Sequence, residues 1–306
     1  MRIAHFSDLH VLALEGAGLT RFFNKRFTGW VNLKVKRNHQ HKVAYARAVT
    51  REIARARVDH AIITGDLTNL ALEGEFETAR ALLEAELGLR SDQISIVPGN
   101  HDLYTRGALR SRRFGSFFAP YVESDLPELA ASIPLGRFPF VKLRGPVAII
   151  GLSSAVPRPP FIASGELGRV QIAAFERILA HDEVKKRTPV IALHHPLHNP
   201  RSKLKTMAEG LWDARALAAA LAHLDKGIVL HGHLHVRQRR PLVTRAGELL
   251  VLGATSASLH HDNEHKMAGF NVYEFDAEGT LSSVKARVYE PETVTFRIAD
   301  VPILSY

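Results

Sequence analysis

Residues 228–235 read Ile-Val-Leu-His-Gly-His-Leu-His. The first three are branched apolar residues of the kind that fill a strand buried on both faces. They run straight into His231-Gly232-His233-Leu234-His235, three histidines in five residues with a glycine among them. Histidines at that density rarely serve packing, although a solvated histidine-rich loop would look the same. The same pattern, an apolar run ending in polar residues able to bind a ligand, occurs upstream as well. Ile3–Phe6 leads into Asp8-Leu9-His10, and Ala61–Thr64 into Gly65-Asp66. Ile94–Val97 leads into Gly99-Asn100-His101-Asp102, and Val190–Leu193 into His194-His195-Pro196. Ligands of open α/β sheets gather at the carboxyl ends of the strands, so these clusters are expected to converge on one edge of one sheet.

Between those runs the apolar residues recur with helical spacing, over residues 43–57, 75–87, 167–180 and 213–224. Further strands are expected at 140–143 and 147–151, and after His235 only strands, at 239–244, 248–252, 270–275 and 281–288. Alternation followed by a strand-rich tail predicts an α/β fold of two packed mixed β-sheets flanked by helices. A single domain over residues 1–306 is expected, with an insertion at about 11–42 and a strand-rich C-terminal part from about 236. With 306 residues, 46% of them hydrophobic, the chain can bury a core without covalent staples. It has no cysteine, which excludes disulfides, zinc–thiolate sites and thiol catalysis. No run approaches the ~18 apolar residues of a membrane span, and the chain enters a strand directly from Met1 without a leader-like segment. A cytoplasmic protein is therefore expected, with peripheral membrane contact left open. The formal charge of +9 points to an anionic partner, which covers phosphoesters, nucleic acid and acidic lipid alike.

Singly, each polar cluster has an ordinary explanation. Asp8-x-His10 would put two side chains on one side of an extended backbone, but a capped turn reads the same way. Gly65-Asp66 is a turn carrying a carboxylate. Together they supply two aspartates, an asparagine and several histidines with no thiolate, and that donor set suits a pair of transition ions, Mn, Fe, Zn or Co. Two-metal sites need at least one carboxylate to bridge ions ~3.5–4 Å apart.

The ordered set D-x-H, G-D, G-N-H-D, H-H-P and G-H-x-H, spread over residues 8–235, resembles the calcineurin-like metallophosphoesterase superfamily. The resemblance implies Asp8, His10 and His235 on a first metal, Asp66 bridging, and Asn100, His194 and His233 on a second. It implies His101 as the catalytic histidine, with Asp102 orienting its ring, and a hydroxide shared by the two ions as nucleophile. His195, next to the ligand His194, is expected behind the ligands or facing substrate. Purple acid phosphatases carry a tyrosine three residues after the bridging aspartate, and Asn69 stands there in this chain. The H-H-P form and Gly65-Asp66-Leu67-Thr68 look most like the bacterial cyclic-nucleotide phosphodiesterase and glycerophosphodiesterase branch, which implies a small phosphodiester substrate.

Residues 21–42 interleave Phe22, Phe23, Phe27 and Trp30 with seven Lys and Arg and no acid. A cap over the site fits this composition. An interfacial segment on an anionic membrane fits as well, and would suit a phospholipid or lipid-linked diphosphate. Base stacking on single-stranded nucleic acid is a third reading, and nuclease or phosphomonoesterase activity stays open beside the diester. Arg106, Arg110, Arg112, Arg113, Arg237, Arg239 and Arg240 read mainly as surface charge, with room for one or two substrate contacts. His260-His261-Asp262-Asn263-Glu264-His265 reads as a polar loop near the cleft. A non-catalytic scaffold is disfavoured because every ligand position is retained.

Overall fold

The computed structural model describes residues 1–12, 41–199 and 202–303. The basic, aromatic segment therefore lies outside the described residues, except for its last two positions. In chain order the strands and helices are β1 (Arg2–Phe6), α1 (Val43–Arg55), β2 (His60–Ile63), α2 (Glu73–Glu86), β3 (Ile94–Ile96), α3 (Arg106–Arg110) and α4 (Arg113–Phe118). There follow β4 (Ala131–Ile133), β5 (Gly136–Phe138), β6 (Phe140–Arg144), β7 (Val147–Gly151), α5 (Arg169–Ala180), α6 (Asp182–Lys185) and β8 (Thr188–Ala192). Then come α7 (Lys203–Glu209), α8 (Ala214–Leu221), β9 (Ile228–His231), β10 (Gln238–Val243), β11 (Glu248–Gly253), β12 (Gly269–Phe275), β13 (Leu281–Glu290) and β14 (Thr295–Asp300).

Two mixed six-stranded sheets result, in the orders β14-β13-β12-β1-β2-β3 and β10-β11-β9-β8-β7-β6, with β4 and β5 forming a separate hairpin. The second sheet has a parallel centre, β7, β8, β9 and β11, between antiparallel edges, whereas in the first β1, β2 and β3 run parallel on one side and β12, β13 and β14 run antiparallel on the other. The strands that follow His235 complete both sheets, β10 and β11 joining the second and β12–β14 the first.

Alternate side chains of the second sheet enter different cores, as the two-residue strand period requires. Val147 and Ile149 of β7, Val190 and Ala192 of β8, and Ile228 and Leu230 of β9 join the larger core, shared with β1–β3 and α1. Ala148, Ile150, Ile191 and Val229 point the other way, onto Phe175 and Ile178 of α5 and Leu217 and Leu221 of α8. Burial on both faces is why these strands read as unbroken apolar runs. Helix α1 buries Tyr45, Ala46, Val49, Thr50 and Ile53, the stripe its spacing predicts.

The strand ends converge, but not as expected. Three of the clusters follow strands of the first sheet and two follow strands of the second, so the site lies where the carboxyl ends of both sheets meet. Asp8-Leu9-His10 is also not extended. The strand stops at Phe6, and Asp8 and His10 take left-handed backbone conformations, with φ of 54° and 48°.

Candidate metal centre

Left-handed backbone is uncommon outside glycine, yet Asp66, His233 and His235 adopt it too, with φ of 52°, 67° and 52°. Five of the seven expected ligands thus sit in strained turns, at a cost of order 1 kcal/mol or more each. Backbone bonds between the turns hold them: the Asp8 amide donates to the Gly65 carbonyl and the His10 amide to the Asp66 carbonyl, at 2.9 and 3.0 Å. Two glycines permit the close approach. A Cβ on Gly99 would lie 2.1 Å from Asp66 Oδ1, and one on Gly232 would lie 2.0 Å from Ser7 Oγ.

All seven side chains meet. His235 Nε2 is 3.1 Å from Asp8 Oδ1 and 3.2 Å from His10 Nε2. Asp66 Oδ2 stands 4.0 Å from His10 Nε2 on one side and 3.4 Å from His194 Nε2 on the other, the position of a bridge. Beyond it, Asn100 Oδ1 is 3.0 Å from His194 Nε2 and 3.1 Å from His233 Nδ1. Ligand atoms bound at ~2.0–2.2 Å to one ion stand roughly 3–4 Å apart, the spacing found in both halves.

The protons favour a cation there. His194 Nδ1 donates to the Thr64 carbonyl and His233 Nε2 to the Glu209 carbonyl. In the neutral rings the nitrogens that face Asn100 Oδ1 therefore carry lone pairs, which meet another acceptor. On the other side two imidazole nitrogens, His10 Nε2 and His235 Nε2, face each other. A metal ion between His194, His233 and Asn100 would turn that opposition into bonds, and one between His10 and His235 would take up the two facing nitrogens in place of a shared proton. The backbone carbonyls on His194 and His233 are the outer partners expected of ligating histidines. Electrostatics agree. Burial pushes the Asp66 carboxyl up, but His194 and His101 beside it more than reverse this and hold it well below the usual range. Burial likewise pushes His194 down, and Asp66 overrides it, raising the ring to about 9, so that without a metal its Nε2 holds a proton which a bound ion would displace. Burial lowers His233 to about 3, with His194 adding to the effect, so its ring is a neutral donor at ordinary pH.

His101 lies beside the bridge. Its amide donates to Asp66 Oδ1 at 2.7 Å, and its ring stands with His10 and Asp66 in a group whose ligand-capable atoms fall within 4.8 Å of one another. The ring is not oriented as expected. His101 Nδ1 donates to the Asn69 carbonyl at 2.7 Å, whereas the buried Asp102 carboxylate accepts from the Gly99 amide and from the amide and hydroxyl of Thr68. Asp102 shapes the turn that presents Asn100 and His101, and Asn69 sets the His101 tautomer. His195 takes the first of the two places expected for it, behind the ligands and not facing substrate. It is fully buried, with Nδ1 on Ser154 Oγ and Nε2 donating to the Ala163 carbonyl, so both nitrogens face protein and neither faces substrate.

Two contributors escaped the sequence reading. Asn69 acts mainly through its main chain, which no motif records, and its side chain also donates to the His10 carbonyl. His41, whose ring centroid is 4.7 Å from that of His10, comes from the basic segment with no telling spacing to the other histidines. Of the arginines, Arg237 is buried and donates to the Glu264 and Met267 carbonyls, a structural role. Residues 260–265 contribute to none of the ligand-capable groups found among the described residues. No helix of the described residues is long and apolar enough to cross a membrane.

Among solved structures, a dimetal phosphatase from Danio rerio is 13% identical, with 98% of this chain and 99% of that chain covered and a TM-score of 0.58. A purple acid phosphatase, PPD1, from yellow lupin seeds is 14% identical, with 99% of this chain and 53% of that chain covered and the same TM-score. At such identity these likenesses speak for the fold. No curated protein matches the chain by sequence. The profile of the calcineurin-like phosphoesterases matches residues 1–237. That match spans the whole ligand set, and the chain belongs to the calcineurin-like phosphoesterase family, as a metallophosphoesterase with a histidine- and aspartate-lined candidate metal centre.

Proposed function

We propose that this protein hydrolyses phosphodiesters, with a small diester such as a cyclic nucleotide as substrate, using two transition-metal ions from among Mn, Fe, Zn and Co. The observation that carries the diester reading is the charge inventory of the centre. Among the described residues, the groups that act most strongly on Asp8, His10, Asp66 and His194 are histidines and aspartates, with no lysine or arginine. A phosphodiester is a monoanion, whereas a monoester dianion brings one more charge for the site to neutralise. Two ions bound here would acidify a water and offset charge on the phosphoryl oxygens.

The protein's own groups do the rest. Asp8 and Asp66 are held by backbone amides of His233 and His101, which fixes the carboxylates before substrate arrives. With Nδ1 committed to Asn69, His101 carries a proton on Nε2 only as the imidazolium. That Nε2–H is the one proton the ring can pass to a departing alkoxide. The test is a comparison of kcat/KM for bis-p-nitrophenyl phosphate and p-nitrophenyl phosphate on Mn-loaded protein, followed by a panel of cyclic nucleotides and glycerophosphodiesters. A preference for the diester is expected. A tenfold or greater preference for the monoester would overturn the reading.

A second reading, a phospholipid or lipid-linked diphosphate at an anionic membrane surface, has one observation in its favour. Phe161, Leu204, Met207 and Trp212 are exposed, at 89, 78, 60 and 49%. They lie on two segments joined by the Ala163–Ala208 and Gly165–Gly210 backbone bonds. Those segments supply the carbonyls of Ala163 and Glu209 that bind His195 and His233, so the apolar face borders the metal centre. Sedimentation with vesicles rich in phosphatidylglycerol, lost in Phe161→Asp/Leu204→Asp, would favour this reading, and no sedimentation of the unaltered chain would remove it.

A further inference from the structure

His41 is the first described residue within the basic, aromatic segment, two positions before α1. Its place is fixed from outside the ligand motifs. The Lys42 amide donates to the Ser258 carbonyl at 2.8 Å, and His41 bridges to Leu259 across the same junction. Ser258 Oγ lies 2.8 Å from His41 Nδ1, with Ser256 Oγ 3.4 Å away. Ser256 Oγ also donates to the main-chain carbonyl of Asp8 at 2.6 Å. One pair of serines thus positions both the His41 ring and the turn carrying Asp8.

The ring is aimed at the first half-site. It meets His10 edge-on, with centroids 4.7 Å apart at 71°, and His235 in the same way at 5.5 Å and 83°. One nitrogen from each of His10, His41 and His235 falls within 4.8 Å of the other two. Ligands on opposite sides of one ion stand about 4.2 Å apart when each bond is ~2.1 Å. The three imidazoles therefore need to close by only a fraction of an ångström. Ser258 on Nδ1 is the outer-shell hydrogen bond that orients a ligating histidine through its other nitrogen.

We propose that His41 is an additional ligand of the first metal ion, joining Asp8, His10, His235 and the bridging Asp66. The inference rests on the dinuclear reading and goes beyond it, since none of the five motifs includes His41. Its chemical consequence concerns metal choice. A third imidazole makes the first site nitrogen-rich, which favours Zn, Fe or Co over Mn or Mg relative to the second site.

The test is metal binding rather than turnover. Stripped protein is titrated with Co²⁺ and followed by its visible absorption and by competition with a chelator, for the unaltered chain, His41→Ala, His41→Gln, Ser258→Ala and His260→Ala. His260, which bonds Tyr45 outside the centre, is the control. The expected result is that both His41 variants, still folded by near-UV circular dichroism, bind the first ion at least about tenfold more weakly. That is the scale of loss seen even for groups that only orient a ligand. Their cobalt spectrum should change as well, with Ser258→Ala showing a smaller loss and His260→Ala none. Two cobalt ions bound to His41→Gln with unchanged affinity and spectrum would overturn the proposal and leave the dinuclear reading intact. Less than one ion on the unaltered chain would overturn both. If His41→Ala fails to fold, the His41→Gln spectrum decides.

Discussion

Gly99→Ala is the sharpest mutational test of the centre, because alanine adds one methyl group and nothing else. A Cβ at position 99 would stand 2.1 Å from Asp66 Oδ1, 2.3 Å from the Asp66 nitrogen and 2.7 Å from Asp66 Cγ, whereas real Cβ contacts essentially never fall below 3.0 Å. The difference, 3.0 minus 2.1, requires a displacement of at least 0.9 Å. Two of the crowded atoms cannot rotate away: one is main chain, and the carboxyl carbon belongs to a side chain held by the His101 amide. The Asp66 turn and the Asn100 turn must therefore separate. A misplacement of ~1 Å in a reacting constellation costs about 100-fold in rate, and overpacking costs about 1–3 kcal/mol in stability. The assay pairs urea denaturation with kcat/KM on bis-p-nitrophenyl phosphate and metal content after dialysis. A loss of about two decades in activity, a weaker bridge and a modest fall in stability are expected. Activity within threefold of the unaltered protein would refute the claim that close contact between these turns builds the site.

The other perturbations separate chemistry from scaffold. His101→Ala should lower kcat by ~10²–10⁴ while leaving metal content unchanged; a loss of metal would make the ring a ligand instead of an acid. Asp102→Ala strands the Gly99 and Thr68 donors, so unfolding in urea should show a loss of about 1–3 kcal/mol, and unchanged stability would contradict its assigned role. Burial pushes the Glu75 carboxyl up to about 7, despite bonds from the Leu70 and Leu72 amides. In that window the folded state holds a proton that the unfolded state has released, so this group's contribution to stability falls as pH rises from about 4.5 to 7 and then levels off. Glu75→Gln removes that slope, and the gap between variant and unaltered protein should widen by up to roughly 3 kcal/mol between pH 5 and 8. Parallel stability profiles would count against it.

Much of this was legible in the sequence, for identifiable reasons. Doubly buried strands such as β7 and β8 announce themselves as apolar runs, and the polar residue after each run marks the site. Which sheet a strand joins is decided by pairing between distant segments, such as Ile3 with Tyr273. Local pattern does not carry that information, so one sheet was expected where two contribute. The left-handed turns at Asp8 and His10 were hidden because neither residue is glycine. Adjacency misled for Asp102 and left two places open for His195. Asp102 follows His101 and His195 follows His194, yet in each pair the second side chain turns into the protein, toward Thr68 and Gly99 in one case and Ser154 and Ala163 in the other. The orienting groups are carbonyls of Asn69, Thr64 and Glu209, and a main-chain carbonyl leaves no trace in residue identity.

The most direct measurement of the central claim is a metal count. Protein stripped with a chelator, then reloaded separately with Mn, Fe, Zn and Co and freed of excess, is assayed by elemental analysis beside Asp66→Ala and Asn100→Ala. Two ions per chain are expected for the unaltered protein with at least one of these metals, falling towards one or none when Asp66 is removed, and to one in Asn100→Ala with the first half-site retained. Fewer than one ion per chain with every metal, or a count unchanged by Asp66→Ala, would contradict two half-sites sharing one aspartate.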